Sequence, residues 1–273
     1  TTYYVATAAN GGSDGNNGTS PTTPKLTLSA AISASSAGDT ITVGPGTFSS
    51  ECNLLVNTNL TIQGHGREET IFDGTSGNST CAFMAITANA TIKNMTIQNY
   101  TTTAATGAYD VTNSSGIIIG ATRGTMETSS SPLTVTITNV KFYDNQCSLT
   151  GGSRAYGAAI CMVDNINNTA HTVNINECMF FDNNASGWGG AIAFGSGHNA
   201  TIKNSYFVHN VARGGGAIYS SDNEAAGGNS TLNIYNCTIW GNWADLGGNA
   251  SGGISLYSNN DTIDLNVKNS IIA

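Results

Sequence analysis

Residues 201–218 read TIKNSYFVHNVARGGGAI, and this stretch decides the fold. Its first half, Thr201-Ile-Lys-Asn204-Ser-Tyr-Phe207-Val-His-Asn210, has close copies elsewhere in the chain. They are Thr136 to Asn145, Asn174 to Asn183, Asn233 to Asn242, and shorter versions at 91–97 and 266–272. Its second half, Gly215-Gly-Ala-Ile218, recurs as Gly189-Gly-Ala-Ile192, Gly157-Ala-Ala-Ile160 and Gly252-Gly-Ile254. Each copy of the second phrase falls between two copies of the first. A constant motif separated by loops of varying length is how a solenoid reads in sequence, because insertions escape at one face. Two-residue hairpin turns between alternating strands are scarce, which argues against an antiparallel meander.

We therefore expect an all-β, right-handed single-stranded parallel β-helix of about eight coils. The coils are counted at Ile41, Ile62, Ile92, Val135, Val173, Ile202, Ile234 and Ile263, stacked ~4.8 Å apart. Ile and Phe at fixed register point inward. Asn94, Asn139, Asn204, Asn236 and Asn269, with Glu177 as the exception, read as an interior amide ladder. Paired glycines suit bends with no room for a Cβ. A β-sandwich of the same composition is the competing architecture.

The composition agrees. The chain has 273 residues with 33 Gly, 4 Pro, 6 Cys and only 10% charged residues, against about 25% in average domains. Its 39% hydrophobic content argues against disorder, and no window approaches the ~20 apolar residues of a membrane helix. Nine basic residues against 17 acidic ones give a net charge of −8. That balance excludes a nucleic-acid partner, which needs a clustered basic surface, and disfavours an anionic polysaccharide. Thr1 in place of Met, an even cysteine count and few lysines suggest a processed, secreted chain at a cell surface. The last phrase stops in mid-coil at Ala273, so we expect that the native chain continues or that another copy covers this end. End-to-end stacking into filaments is one outcome.

Two stretches resemble known families. Tyr3-Tyr4-Val5, Gly12 to Ser20, Ala37-Gly-Asp-Thr-Ile41 and Pro45-Gly-Thr-Phe48 resemble the opening cap of pectate-lyase-like β-helix proteins. That resemblance implies a cap over residues 1–38 with a short helix at 26–32, then coils over 39–273 in a single domain. It is specific for fold and silent on activity. The Gly-Gly-Ala-Ile and Phe-x-x-Asn repeats over roughly residues 130–273 resemble those of the chlamydial polymorphic outer-membrane proteins. This second resemblance implies surface display, as an adhesin or structural rod, rather than catalysis. The alternative is a carbohydrate-active enzyme, a polysaccharide lyase or glycoside hydrolase, on the same fold.

Candidate chemistry comes from register. Asp144, Asp182 and His209 precede the Asn of successive Phe-x-x-Asn phrases, so coil stacking sets them side by side. Three readings stay open: solvated turn residues, an oxygen site for Ca²⁺ from Asp144 and Asp182, or a retaining glycosidase pair assisted by His209. Beyond that Ca²⁺ option no cofactor is implied. One position earlier, Tyr143, Phe181, Val208 and Trp240 should point outward as an apolar stripe, suited to sugar stacking or to cover by loops. Gly64-His65-Gly66 matches a polygalacturonase motif superficially but sits among ordinary turn residues. Basic residues look too scattered for a lyase base; Lys93 and Lys203 share a register as coils of the repeat, not as a cluster.

Fourteen Asn-x-Ser/Thr sequons occur. Asn59, Asn89, Asn199, Asn229 and Asn260 fall just before strands, at one corner, as candidate glycosylation sites; turn geometry also favours Asn there. Neighbouring coils bring Cys52 and Cys81 within reach of a disulfide, and Cys147 with Cys161 is a second candidate pair. Cys178 and Cys237 lie two coils apart, too far to bridge. No Cys/His spacing suggests zinc.

Overall fold

The computed structural model describes residues 1–76, 81–103, 114–125, 128–129, 131–148, 155–162, 169–222, 228–245, 251–258 and 261–273. The stretch read first is one coil of the helix. Asn199–Lys203 lies on a long face and Tyr206–Val208 on a second face. Val211–Ala212 forms a short third face, and Ile218–Asp222 closes the turn. Every inter-strand pairing is parallel and joins one coil to the next. Among the described residues the strands form sheets of fifteen, seven and five members, which is the parallel β-helix that the repeats imply. The long face runs unbroken from Thr2–Val5 to Ile263–Lys268.

Two residues per coil bend the chain. Asn94, Asn139, Glu177, Asn204, Asn236 and Asn269 have φ between 50° and 61°, and the next bend's Asn99, Asp144, Asp182 and His209 have φ between 49° and 59°. Left-handed backbone is tolerated best by Gly, Asn and Asp, so these columns are chosen first for conformation. Gly241 continues the second column at φ 62°.

This geometry corrects the expected interior ladder. Asn94 and Asn139 are half-buried, while Glu177, Asn204, Asn236 and Asn269 are exposed. The column is an outer corner, tied by Asn139 Nδ2 to Asn94 Oδ1 (2.9 Å) and Asn236 Nδ2 to Asn204 Oδ1 (3.3 Å). The true interior ladder is the Asn that closes Phe-x-x-Asn. Asn145, Asn183 and Asn210 are fully buried. Each side chain donates to the next: Asn145 to Asn183 (3.0 Å), Asn183 to Asn210 (2.9 Å), Asn210 to Asn242 (2.9 Å). Each Nδ2 also reaches a carbonyl of the preceding coil, at Ile97, Phe142 and Phe180. Each Oδ1 accepts a backbone N–H as well. At these buried sites the turn's peptide groups have no water to bond, and the ladder satisfies them.

The inward Ile and Phe are placed as expected, with one shift of register. The long-face column is Ile41, Ile62, Ile92, Ile137, Ile175, Ile202, Ile234 and Val267. Val135 and Val173 belong two residues earlier, and Ile263 aligns with Ser230. On the second face Phe142, Phe180 and Phe207 stack nearly parallel, with centroids 5.0 and 4.5 Å apart. At the other end Phe48, Phe72, Phe83 and Tyr100 fill the core with tilted contacts of 4.9–5.4 Å.

The glycine phrases are also explained. Gly189 and Gly215 adopt φ of 69° and 63°, and a Cβ on Gly190 would lie 2.2 Å from Gly216 O of the next coil. Gly64 likewise leaves no room beside Asn94 O (2.0 Å), so the first glycine of the Gly-His-Gly phrase is a backbone requirement. Its His65 is solvent-exposed, 3.8 Å from Glu69.

Thr2–Val5 pairs with Asp39–Val43 and opens the stack. The short helix, Leu28–Ala34, is capped by Thr27, whose Oγ1 accepts from Ala30 N. Glu51 accepts from Leu28 N and Ser29 N beneath it, and burial pushes its carboxyl up despite those bonds. A disulfide joins Cys52 and Cys81, with Cα atoms 5.4 Å apart. The pairing considered for Cys147 with Cys161 is not made. Cys147 belongs to the short face, packed with Ala155, Ala158 and Ala185, whereas Cys161 sits on the closing face opposite Ile118 and Ala193. Cys178 and Cys237 are buried thiols with Ser205 between them: Cys178 N donates to Ser205 Oγ, and Cys237 N to Ser270 Oγ.

Candidate functional site

The second face turns the residues on either side of its buried Phe or Ile outward. Register aligns Tyr143, Phe181, Val208 and Trp240 in successive coils, and the column continues backward through Gln98 to Asp73. Phe181 and Val208 are half-buried, while Tyr143 is 36% and Trp240 52% exposed. A second outward column beside it holds Lys141, Met179 and Tyr206. Across the next bend, Trp243 stands 66% exposed; sequence reading gave it no role, although its place three residues past Trp240 repeats in each coil. Tyr143, Tyr206, Trp240 and Trp243 are exposed rings on the two sides of this bend, termed the aromatic platform.

The bend between these columns carries Asp144, Asp182 and His209. His209 Nδ1 lies 3.9 Å from Asp182 Oδ1, with both side chains about half exposed. The His209 ring also packs on Trp240, centroid to centroid 5.1 Å. Asp144 Oδ1 accepts from Gln146 Nε2 (2.7 Å). Lys141 Nζ sits 5.2 Å from the Tyr143 ring centre. At the head of the platform, Asp73 is hydrogen-bonded by Gln98 and Asn99. Partial burial raises its carboxyl, and hydrogen bonds from Thr75, Gln98 and Asn99 outweigh that and hold it below the usual range. Structure thus brings the sequence candidates Tyr143, Phe181, Trp240, Asp144, Asp182 and His209 onto one corner. Left-handed backbone accounts for the residue types in the bend column, which is the turn reading of Asp144, Asp182 and His209. Among the described residues no three His, Cys, Asp or Glu side chains come together as a metal site.

The sequon corner is exposed at Asn59, Asn89, Asn199 and Asn229. Asn59 aligns with Asn89 and Asn199 with Thr172 and Thr231, so Asn229 stands two residues earlier than the others. Asn59 Oδ1 accepts from Asn89 N, and Asn89 Oδ1 from Thr134 N. These bonds use the oxygen and leave Nδ2, the atom a glycan would take, outside the ladder. Asn260 lies outside the described residues, as do Asn78, Asn113, Asn167 and Asn249.

No family model and no curated protein matches the chain. Among solved structures it is similar to the PL6 family alginate lyase AlyGC, with a TM-score of 0.47 at 10% identity over all of this chain. The chain spans 39% of that lyase's length. It is also similar to the GH136 lacto-N-biosidase from Eubacterium ramulus, with a TM-score of 0.32 at 10% identity, covering 98% of this chain and 68% of that one. At this level of likeness no residue role transfers.

Proposed function

We propose that the chain is an extracellular glycan-binding β-helix of the surface-adhesin kind, which holds a neutral polysaccharide along the aromatic platform. One observation carries the reading: Tyr143, Phe181 and Trp240 present their side chains outward in coil register, with Trp243 beside them. Exposed large rings gathered at one corner mark a recognition face, and rings with an apolar body suit the CH-rich faces of sugars. Asp73, Asp144 and Asp182 along the platform supply hydroxyl acceptors and repel carboxylated or sulfated chains, which favours a neutral ligand.

Titration with soluble neutral glycans, followed by tryptophan fluorescence, tests this. Binding is expected to be lost or weakened tenfold or more in Trp240→Ala and Tyr143→Ala. If no neutral glycan perturbs the fluorescence, or both variants bind as the parent does, the reading fails. A second reading is favoured by the contact of His209 with Asp182: a carbohydrate-active enzyme using Asp144, Asp182 and His209 at the platform's edge. Release of reducing ends from a bound glycan, abolished by Asp182→Asn, would establish it.

A further inference from the structure

The net charge of −8 hides an uneven distribution. On the long face the outward positions form straight columns across the coils. One column runs Lys93, Thr138, Asn176, Lys203, Tyr235, Lys268, and the next runs Thr91, Thr136, Asn174, Thr201, Asn233, Asn266. Three of the nine basic residues therefore lie in a single column of an acidic protein. Lys203 and Lys268 flank Tyr235 in adjacent coils, their Nζ atoms 5.9 and 5.8 Å from its ring centre. Tyr235 thus spaces two ammonium groups and braces both by cation–π contact.

The neighbouring column is braced too. Tyr235 OH donates to Asn233 Oδ1 (3.0 Å), which also accepts from Asn266 Nδ2 (3.1 Å), and Asn233 Nδ2 reaches Thr201 Oγ1 (3.4 Å). Among the described residues Lys93, Lys203 and Lys268 form no ion pair. The carboxylates nearest in sequence are turned to other work or displaced. Glu177 accepts from Asn176 Nδ2 (3.0 Å) at the corner, and Asp264 stands two columns away from Lys268, opposite Thr231.

We infer that this face is a second binding site, distinct from the aromatic platform, and that its ligand is a linear anionic polysaccharide bearing carboxylate or sulfate groups. Charge complementarity names the ligand's sign: three ammonium groups in line attract a chain that repeats its negative charge. The flanking hydroxyls and amides name its remainder, since a polysaccharide offers hydroxyls to a flat Thr/Asn column whereas an acidic peptide does not. The ligand runs along the rod axis, across coils, because both columns do.

The test is affinity electrophoresis of the full chain through gels containing polygalacturonate, with dextran as the uncharged control and double-stranded DNA as a competing polyanion. Retardation by polygalacturonate at low ionic strength is expected, falling as salt screens it, whereas any retardation by dextran belongs to the platform and does not change with salt, and DNA competes little. The double variant Lys203→Gln/Lys268→Gln should weaken retardation tenfold or more. Lys203→Arg/Lys268→Arg, which keeps the charge, should retain it. Trp240→Ala, on the other face, should leave it unchanged. Absence of retardation by polygalacturonate overturns the inference. So does equal loss in the Gln and Arg double variants, or DNA competing mass for mass with the uronate chain.

Discussion

Two asparagine columns run the length of the same repeats and do opposite work. Asn94, Asn139, Asn204 and Asn236 stand at an outer corner and bond one another at the edge of solvent. Asn145, Asn183 and Asn210 are sealed inside and bond the backbone of the coils on either side. Residue type and period are the same; the backbone differs. The outer column has positive φ, so Asn is there because its backbone tolerates that region, and Gly or Asp could replace it. The inner column lies outside that region, and Asn is there for its amide. Histidine splits the same way: His209 is exposed at a left-handed bend, while His171 and His198 are buried and stacked 4.8 Å apart.

The largest expected contrast is therefore between Asn183→Ala and Asn139→Ala. The first deletes four hydrogen bonds and strands Phe142 O and Asn145 N in the dry interior. Unsatisfied buried groups cost about 1–3 kcal/mol each, so a loss of about 4 kcal/mol is expected. The second loses one partly exposed bond and places Ala at a φ of 54°, for about 1–2 kcal/mol. Urea unfolding of both variants measures the difference. Equal losses would break the comparison, since they would mean that the two columns bear the coil stack alike.

The buried histidines give the next effect, and it depends on pH. His171 Nδ1 accepts from Leu133 N (3.2 Å), and His198 Nδ1 accepts from His171 N (2.9 Å). A protonated imidazole has no acceptor, and burial lowers the His171 pKa from 6.5 to about 4. The unfolded chain therefore binds the proton first as pH falls. Stability contributed here is intact above about pH 6.5 and declines toward pH 4, by up to about 3 kcal/mol. The unfolding midpoint of His171→Gln, measured against the parent from pH 7 to pH 4.5, should show the shallower slope. Parallel slopes would remove His171 as the source.

Much of this fold was legible, for physical reasons that also mark where legibility stopped. Inward Ile and Phe repeat at fixed offset from their motifs, and parallel stacking leaves them one place to go. The Cys52–Cys81 bridge followed from neighbouring coils. What sequence misassigned was the side of a turn. Between Phe142 and Asn145 the chain passes one outward residue and one left-handed residue, so inside and outside do not alternate by two, and a strict alternation puts the wrong Asn column inside. Val135, Val173 and Ile263 were misaligned because strand Thr134–Tyr143 carries inward apolar residues at 135, 137, 140 and 142, any of which can pose as the coil marker. At the site, the outward stripe was legible from its neighbour Phe. Trp243 was missed, and Lys203 with Lys268 were separated by Tyr235, because their company depends on register exact to one residue.

Glu177 offers a smaller test of the outer column. It holds a φ of 56° between two coils that use Asn, and its carboxylate accepts from Asn176 while its carbonyl accepts from Arg67. Glu177→Asn keeps that carbonyl bond, relieves the backbone and restores an amide between Asn139 and Asn204. A gain of about 0.5–1 kcal/mol is expected in urea unfolding. Loss of stability would mean that the side-chain bond to Asn176 outweighs backbone tolerance at this corner.

The smallest stability effect belongs to the platform, and its smallness is the point. Trp240 touches His209 and faces water over half its surface, so Trp240→Ala should shift stability by no more than about 0.5 kcal/mol while removing glycan-induced fluorescence change at the platform. Inner columns hold the coil; outer columns at this corner are free to be spent on a ligand. A loss above about 1 kcal/mol would place Trp240 among the residues that hold coils together. The exposed ring would then have a structural reason to exist, and the aromatic platform would lose its strongest claim to be a binding surface.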